Sequence, residues 1–375
     1  APTKRLLVSP RERVQWVAAY PGDATRWAEF QAVDIAAPLA AVRADLRAGQ
    51  WTEARTRLLA LSANGEDGAV VDLVLADLEV FEGQLDAAQA RLSSAWTRTH
   101  DPRTAARRAE LLMALDRGAE ARTWLDASRA AAPTAMELLL ADGDWQRLQG
   151  QGDVALTLYR QALARADGDA QRAAAHWALG RALQERGDLR AARAALAQAV
   201  ALAPDNPSYR GEQATAATEA LQLAEARTGF DAALARAGDD YVSLAGAGLL
   251  ALKQGDAQTA RTQLLKALVI EPRYAHAQVW LAVAEYTLGE RAAALDSLDR
   301  ARLADPNDPL PWQIEAMLRN DSGDPTQAIA AAREALVRLP YLKSLNPLAS
   351  DSQGSANLGK ALGDFGMEHW ASPDR

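Results

Sequence analysis

Four histidines, His100, His176, His276 and His369, are the residues of this chain best suited to hold a metal or move a proton near neutral pH. No two lie three or four positions apart, the spacing that puts two ligands on one helical face, and no second ligand set accompanies any of them. His176 and His276 read as corresponding positions near the starts of two helices, and so as repeat positions rather than a site. There is no cysteine, which excludes disulfides, thiolate catalysis and cysteine-based zinc sites. The chain has no phosphate-binding G-x-x-x-x-G-K-[ST] loop and no G-x-S-x-G nucleophile turn. Gly246 and Gly248 fall inside a predicted helix with no strand before them, where close helix packing explains them better than a dinucleotide loop. Carboxylate pairs such as Asp239-Asp240 and Asp305/Asp308 fall at turns, where an aspartate caps the next helix by accepting backbone N–H bonds. The expectation is a protein that is not an enzyme and uses no cofactor or metal.

The remaining conspicuous side chains are ten tryptophans, spread along the whole length. In alanine-rich surroundings a lone tryptophan is usually core filler, because it buries a large area among small neighbours. What positions these residues is a repeat. Ala54, Ala88, Ala121, Ala155, Ala192, Ala226, Ala260, Ala294 and Ala328 follow one another at steps of 34, 33, 34, 37, 34, 34, 34 and 34 residues. A period of 34 residues fits one helix–turn–helix unit.

One unit shows why. Leu179, Gly180 and Leu183 belong to a first helix, Gly187-Asp188 to a turn, and Ala192, Leu196 and Ala199 to a second helix closed by Pro204. Spacings of four and three put the last three apolar residues on one face. Alanine suits the crossing point of two helices, where a larger side chain would push the axes apart. Glycine suits the tight turn, and proline stops the second helix. Turn residues five before each anchor are Gly49, Gly83, Asp116, Gly150, Gly187, Leu221, Gly255, Gly289 and Gly323, so Asp116 and Leu221 depart from the pattern. The 37-residue step holds a three-residue insertion, predicted in a loop over Ala166–Gln171.

Unit size, turn, small-residue and proline positions together resemble the tetratricopeptide repeat family, over roughly Ala36 to Leu339. The resemblance implies an all-α, right-handed superhelical solenoid of about nine repeats, with a concave face made mainly by the first helix of each pair. The organisation expected is an N-terminal linker and helix at 1–35, the solenoid at 36–340, and an extended segment with a capping helix at 341–375. A terminal cap is what an open-ended array needs.

By the family's geometry, residues eleven before each anchor face the concave side: Asp77, Glu110, Asp144, Arg181, Thr215, Leu249, Val283 and Met317. The series runs from acidic to apolar. The groove expected has a floor at Leu249, Leu252, Val279, Val283 and Tyr286, with an acidic rim at its N-terminal end. Trp177 stands one residue from the family's large aromatic position and is able to turn toward the groove beside Arg181, whereas Trp312 occupies that position and reads as structural. An apolar stripe outside the core is a docking surface for a protein or peptide segment. The alternative is that the register is off by one, so that these residues pack between helices.

A net charge of −8 argues against nucleic acid as partner, and no apolar run reaches the ~18–20 residues of a membrane span. Both flanks resemble bacterial envelope proteins in which a FecR-like domain precedes, and an outer-membrane barrel follows, a tetratricopeptide array. The residues concerned are Val14-Gln15-Trp16 with Tyr20-Pro21, and Ser350 to Ala371. That resemblance implies a periplasmic location, a link to a barrel, and a protein or secreted polysaccharide as cargo. The other reading is a free-standing cytoplasmic adaptor that assembles a multiprotein complex.

Overall fold

The computed structural model describes residues 50–63, 68–81, 83–115, 117–204, 206–306 and 308–338, with 41, 42 and 45. The linker and helix expected at 1–35 and the segment and capping helix expected at 341–375 lie outside the described residues.

Among the described residues there are seventeen α-helices and no strand. In chain order they are α1 (Trp51–Ala63), α2 (Gly68–Phe81), α3 (Leu85–Thr99), α4 (Pro102–Ala114), α5 (Gly118–Ala131), α6 (Met136–Leu148), α7 (Gly152–Arg165), α8 (Asp169–Glu185) and α9 (Leu189–Leu202). Then follow α10 (Pro207–Glu219), α11 (Leu223–Arg236), α12 (Tyr241–Lys253), α13 (Ala257–Ile270), α14 (Ala275–Thr287), α15 (Arg291–Ala304), α16 (Leu310–Asp321) and α17 (Pro325–Arg338). The nine anchor alanines fall on α1, α3, α5, α7, α9, α11, α13, α15 and α17, the second helix of each unit, and each is 0% exposed. The even-numbered helices are the first helices. The chain is thus an all-α solenoid.

The core is a strip of small clusters, most of them tying one helix pair to the next. One joins Leu244, Ala260, Leu264, Ala267, Ala277 and Leu281, and the next joins Val279, Ala294, Leu298, Ala301, Leu310 and Ile314. Close approach within a pair depends on a small residue on one side of the contact. A Cβ built on Gly248 would lie 2.6 Å from Leu264 Cγ, so only glycine lets α12 meet α13 there.

The tight turns take left-handed backbone at the predicted glycines, Gly83, Gly150, Gly187, Gly255, Gly289 and Gly323. Leu221 adopts the same geometry, at φ 59, although it is not glycine. Asp188, Asn206, Asp240, Asp256 and Asp308 each accept a backbone N–H at the start of the following helix.

The three-residue insertion does not enlarge a loop. Three residues, 166–168, separate α7 from α8, whereas four, 203–206, separate α9 from α10. Helix α8 is instead 17 residues long where α10, α12 and α14 have 13. One extra helical turn, less one loop residue, accounts for the three. Asp169–Gln171 are helical because extending a helix satisfies backbone groups that a longer loop would leave to water.

Every first helix from α2 to α14 packs against the next first helix, while no second helix makes a comparable contact with the next second helix among the described residues. Elements that crowd on one side and spread on the other curve toward the crowded side. The first helices therefore line the concave face.

Candidate concave binding surface

A cavity of about 310 Å³ opens on this face between α8, α10, α12 and α14. Its walls follow a simple rule. Residues 18 and 14 before the anchor look back toward the preceding repeat: Ser208, Glu212, Val242, Gly246, His276 and Trp280. Residues 11 before it, Arg181, Thr215 and Leu249, lie in the middle. On α8, residues 15 and 8 before it, Trp177 and Gln184, look forward to α10. One step along a helix rotates the side chain by about 100°, so adjacent positions serve different neighbours.

That rule decides where the expected groove residues go. Trp177, Arg181 and Leu249 line the cavity together. Leu252 is half-buried against the cluster joining α12 to α14. Val283 and Tyr286 are half-buried against the cluster joining α14 to α16. The Tyr286 hydroxyl donates to Asp321 Oδ2 at 2.7 Å, which pins α14 to the end of α16. Val279, placed on the groove floor by its spacing, is 0% exposed and belongs to the core. It stands 15 before its anchor, a position that the next first helix covers. The expected floor is thus not one continuous surface.

The acidic rim is largely cross-linked. Asp77 on α2 accepts from Arg107 Nη2 on α4 at 2.5 Å, and Arg107 also reaches Glu110 at 3.1 Å. Asp144 on α6 accepts the Tyr159 hydroxyl at 2.8 Å. Arg147 reaches across to Glu185 of α8 at 2.6 Å. In the cavity the pairing loosens. Arg181 Nε stands 3.7 Å from Glu212 Oε1, beyond a hydrogen bond, with its guanidinium 4.6 Å from the centre of the Trp177 ring.

Burial raises the pKa of Glu185, Glu212 and Glu219 above the ordinary carboxylate value; for Glu219 it goes to about 7. Burial also lowers His276 to about 4, so its imidazole is neutral at pH 7. His276 is the second residue of α14 and His176 the eighth of α8, so the two are not equivalent repeat positions. Four side-chain atoms around the cavity are buried without a hydrogen-bond partner: Trp177 Nε1, Arg181 Nε, Gln184 Oε1 and Glu219 Oε2. Tyr241 and Tyr274, 5.1 Å apart edge to face, close the α12–α14 side.

Glu212, Glu219, Tyr241, Tyr274 and Trp280 are site residues that sequence reasoning missed. Steps of four, three and four from Ser208 give Glu212, Thr215 and Glu219, so the signal was the helical period read from the correct starting residue. Among the described residues, no group of three or more His, Asp or Glu side chains could hold a metal ion. The cavity combines aromatic walls with a few polar groups, the make-up of a pocket able to take a ligand.

Comparison with known proteins agrees with the architecture. Family models for the tetratricopeptide repeat match residues 146–207, 178–242 and 251–318. No curated protein matches the chain. Among solved structures, the APC/C hetero-tetramer Cut9–Hcn1 is similar, at 17% identity and a TM-score of 0.65, over 85% of this chain and 63% of that one. The chain therefore spans less than two thirds of that relative. A tetratricopeptide repeat protein from Parabacteroides merdae is 14% identical over 79% of this chain and 99% of its own, with a TM-score of 0.49. The chain thus carries tetratricopeptide repeats over most of the array from 146 to 318.

Proposed function

We propose that the chain is a non-catalytic scaffold that binds an extended segment of a protein partner along its concave face. The observation that carries this reading is the cavity between α8, α10, α12 and α14, where buried polar atoms without partners stand among aromatic walls. A buried polar atom left unpaired costs roughly 1–3 kcal/mol, and a docked segment is a source of the missing partners. The test is affinity capture with the full chain and two inner-face variants, Trp177→Ala and Leu249→Glu. Both are expected to lose the partner while the helical melt holds. The outward variant Val269→Glu, at a position 52% exposed, is expected to keep it. Capture that survives both inner-face changes would place binding elsewhere.

We further propose that the array works in the periplasm as part of an outer-membrane-associated protein. Support comes from the flanking segments around Trp16 and from Ser350 to Ala371, which lie outside the described residues. Determining the parent reading frame on both sides tests it. An export signal upstream and alternating strand-like sequence downstream are expected; an uninterrupted cytoplasmic reading frame would instead leave an adaptor.

A further inference from the structure

The cavity is more selective than a generic groove. Its lining carries three carboxyl side chains, Glu212, Glu219 and Asp240, against a single permanent cation, Arg181. His276 adds no charge at neutral pH. Asp240 is already engaged by its own helix start, through Val242 N and Ser243 Oγ. Glu212 faces Arg181. Glu219 has a side-chain hydrogen bond with Gln184, yet its Oε2 is buried without a partner, as is Gln184 Oε1. Lys253, exposed at the end of α12, acts on Glu219 through space without a bond to it.

Two orphaned oxygens, one of them on a carboxyl group that a bound cation would hold ionised, ask for a donor-rich cation. An ammonium has three donors and no acceptor, and it satisfies both oxygens at once. A guanidinium fits less well. Its planar fork prefers a bidentate carboxylate, and Glu212 and Glu219 stand two turns apart on α10, about 10.5 Å along the axis, too far for one fork to span. The approach to Glu219 passes Trp177, Thr215 and Leu249, which suit the methylene stem of a long side chain.

We propose that the cavity is a receptor for a lysine side chain of the partner's extended segment, with its ammonium seated between Glu219 Oε2 and Gln184 Oε1. The inference rests on the scaffold reading above and names the side chain that the groove selects. An anionic residue would meet Glu212, Glu219 and Asp240 in the same lining, with Arg181 as its one permanent cation.

Selection from a random nonapeptide library against the full chain tests it, in parallel with Glu219→Gln. The expected result is lysine enriched at one position with the unaltered protein and lost with the variant. Replacing that lysine by norleucine in a selected peptide should weaken binding about tenfold or more, a comparison that leaves the protein untouched should the variant fold poorly. Peptides selected without lysine, or with an acidic residue in its place, overturn the lysine seat while the scaffold reading stands. Failure to select any peptide counts against both, and retained capture of partner protein by the same preparation would then restore the scaffold reading alone.

Discussion

Gly180 on α8 faces Leu196 on α9 so closely that a Cβ atom on the glycine would lie 2.6 Å from Leu196 Cγ. The same pairing recurs between Gly248 and Leu264, one step 12 before an anchor alanine and the other 4 after it. Glycine here is a packing residue in the middle of a helix, where on propensity alone alanine would be better by roughly 0.5–1 kcal/mol. The Gly180→Ala and Gly248→Ala changes are expected to reverse that sign and destabilise by about 1–3 kcal/mol through overpacking. Denaturant unfolding checks it. A gain in stability would mean that α8 and α9 can separate freely.

Leu221 makes the opposite prediction. It is 67% exposed and holds the left-handed turn that glycine holds in its neighbours. That conformation costs a side-chain-bearing residue about 1–2 kcal/mol, and the exposed leucine recovers little by burial. Leu221→Gly is expected to stabilise the unit around α10 and α11 by about 0.5–1 kcal/mol, after the extra freedom glycine gives the unfolded chain. Thermal melts of the two proteins decide it; a lower midpoint for the glycine form would contradict the backbone argument.

Asp142 on α6 is 2% exposed and receives both Arg122, at 2.6 Å, and Arg129 from α5. Removing a buried carboxylate leaves two guanidinium groups facing one another. Asp142→Ala is expected to cost about 3 kcal/mol or more, read as earlier hydrogen exchange in α5 and α6 than in the helices after α12. Uniform protection along the array would show that the pair carries little.

The pH dependence follows from Glu219. Its carboxyl has an ordinary value of 4.5 and is raised to about 7 in the fold, by burial first, then by Glu212, with Gln184 and Lys253 acting the other way. Between those values the folded state binds the proton and the unfolded state does not. Stability from this group is therefore highest below pH 4.5 and falls as pH rises toward 7. Glu219→Gln should flatten that part of the curve and raise the melting temperature at pH 8. Identical pH profiles for the two proteins would show that the group is not held neutral.

The Trp177 surface gives a spectroscopic check on the cavity. Its indole stacks on Arg181 at 4.6 Å and lies 5.6 Å from the Tyr209 ring. Trp177→Phe is expected to remove the emission change that a bound segment produces, while leaving the helical signal intact. An unchanged response would move the reporting tryptophan, and the contact, away from α8.

The anchor alanines, the turn positions and the capping Asp240 and Asp308 were legible in the sequence because each answers to a local constraint: a crossing point, a left-handed turn, a helix start. The rotation of the first helices was not. Helices such as α8 and α12 carry alanine, leucine and glycine on nearly every side, so apolar periodicity does not say which edge faces inward. Reading Val279 and Tyr286 as floor set the face one residue off, and placed on the surface what the next helix covers. The insertion was misread for a related reason. Residues 169–171 contain Asp and Gln, which suit a loop but equally suit the exposed first turn of a longer helix.

The extra turn of α8 has a bearing on how a bound strand finds its place. In an array of identical units, a segment shifted by one repeat meets the same surroundings, and all such alignments are degenerate. Helix α8 breaks the translation at one point and forms a wall of the central cavity. A strand with one side chain fitted there has a single origin from which its other residues are counted along the remaining repeats, as a scale is read from its zero mark.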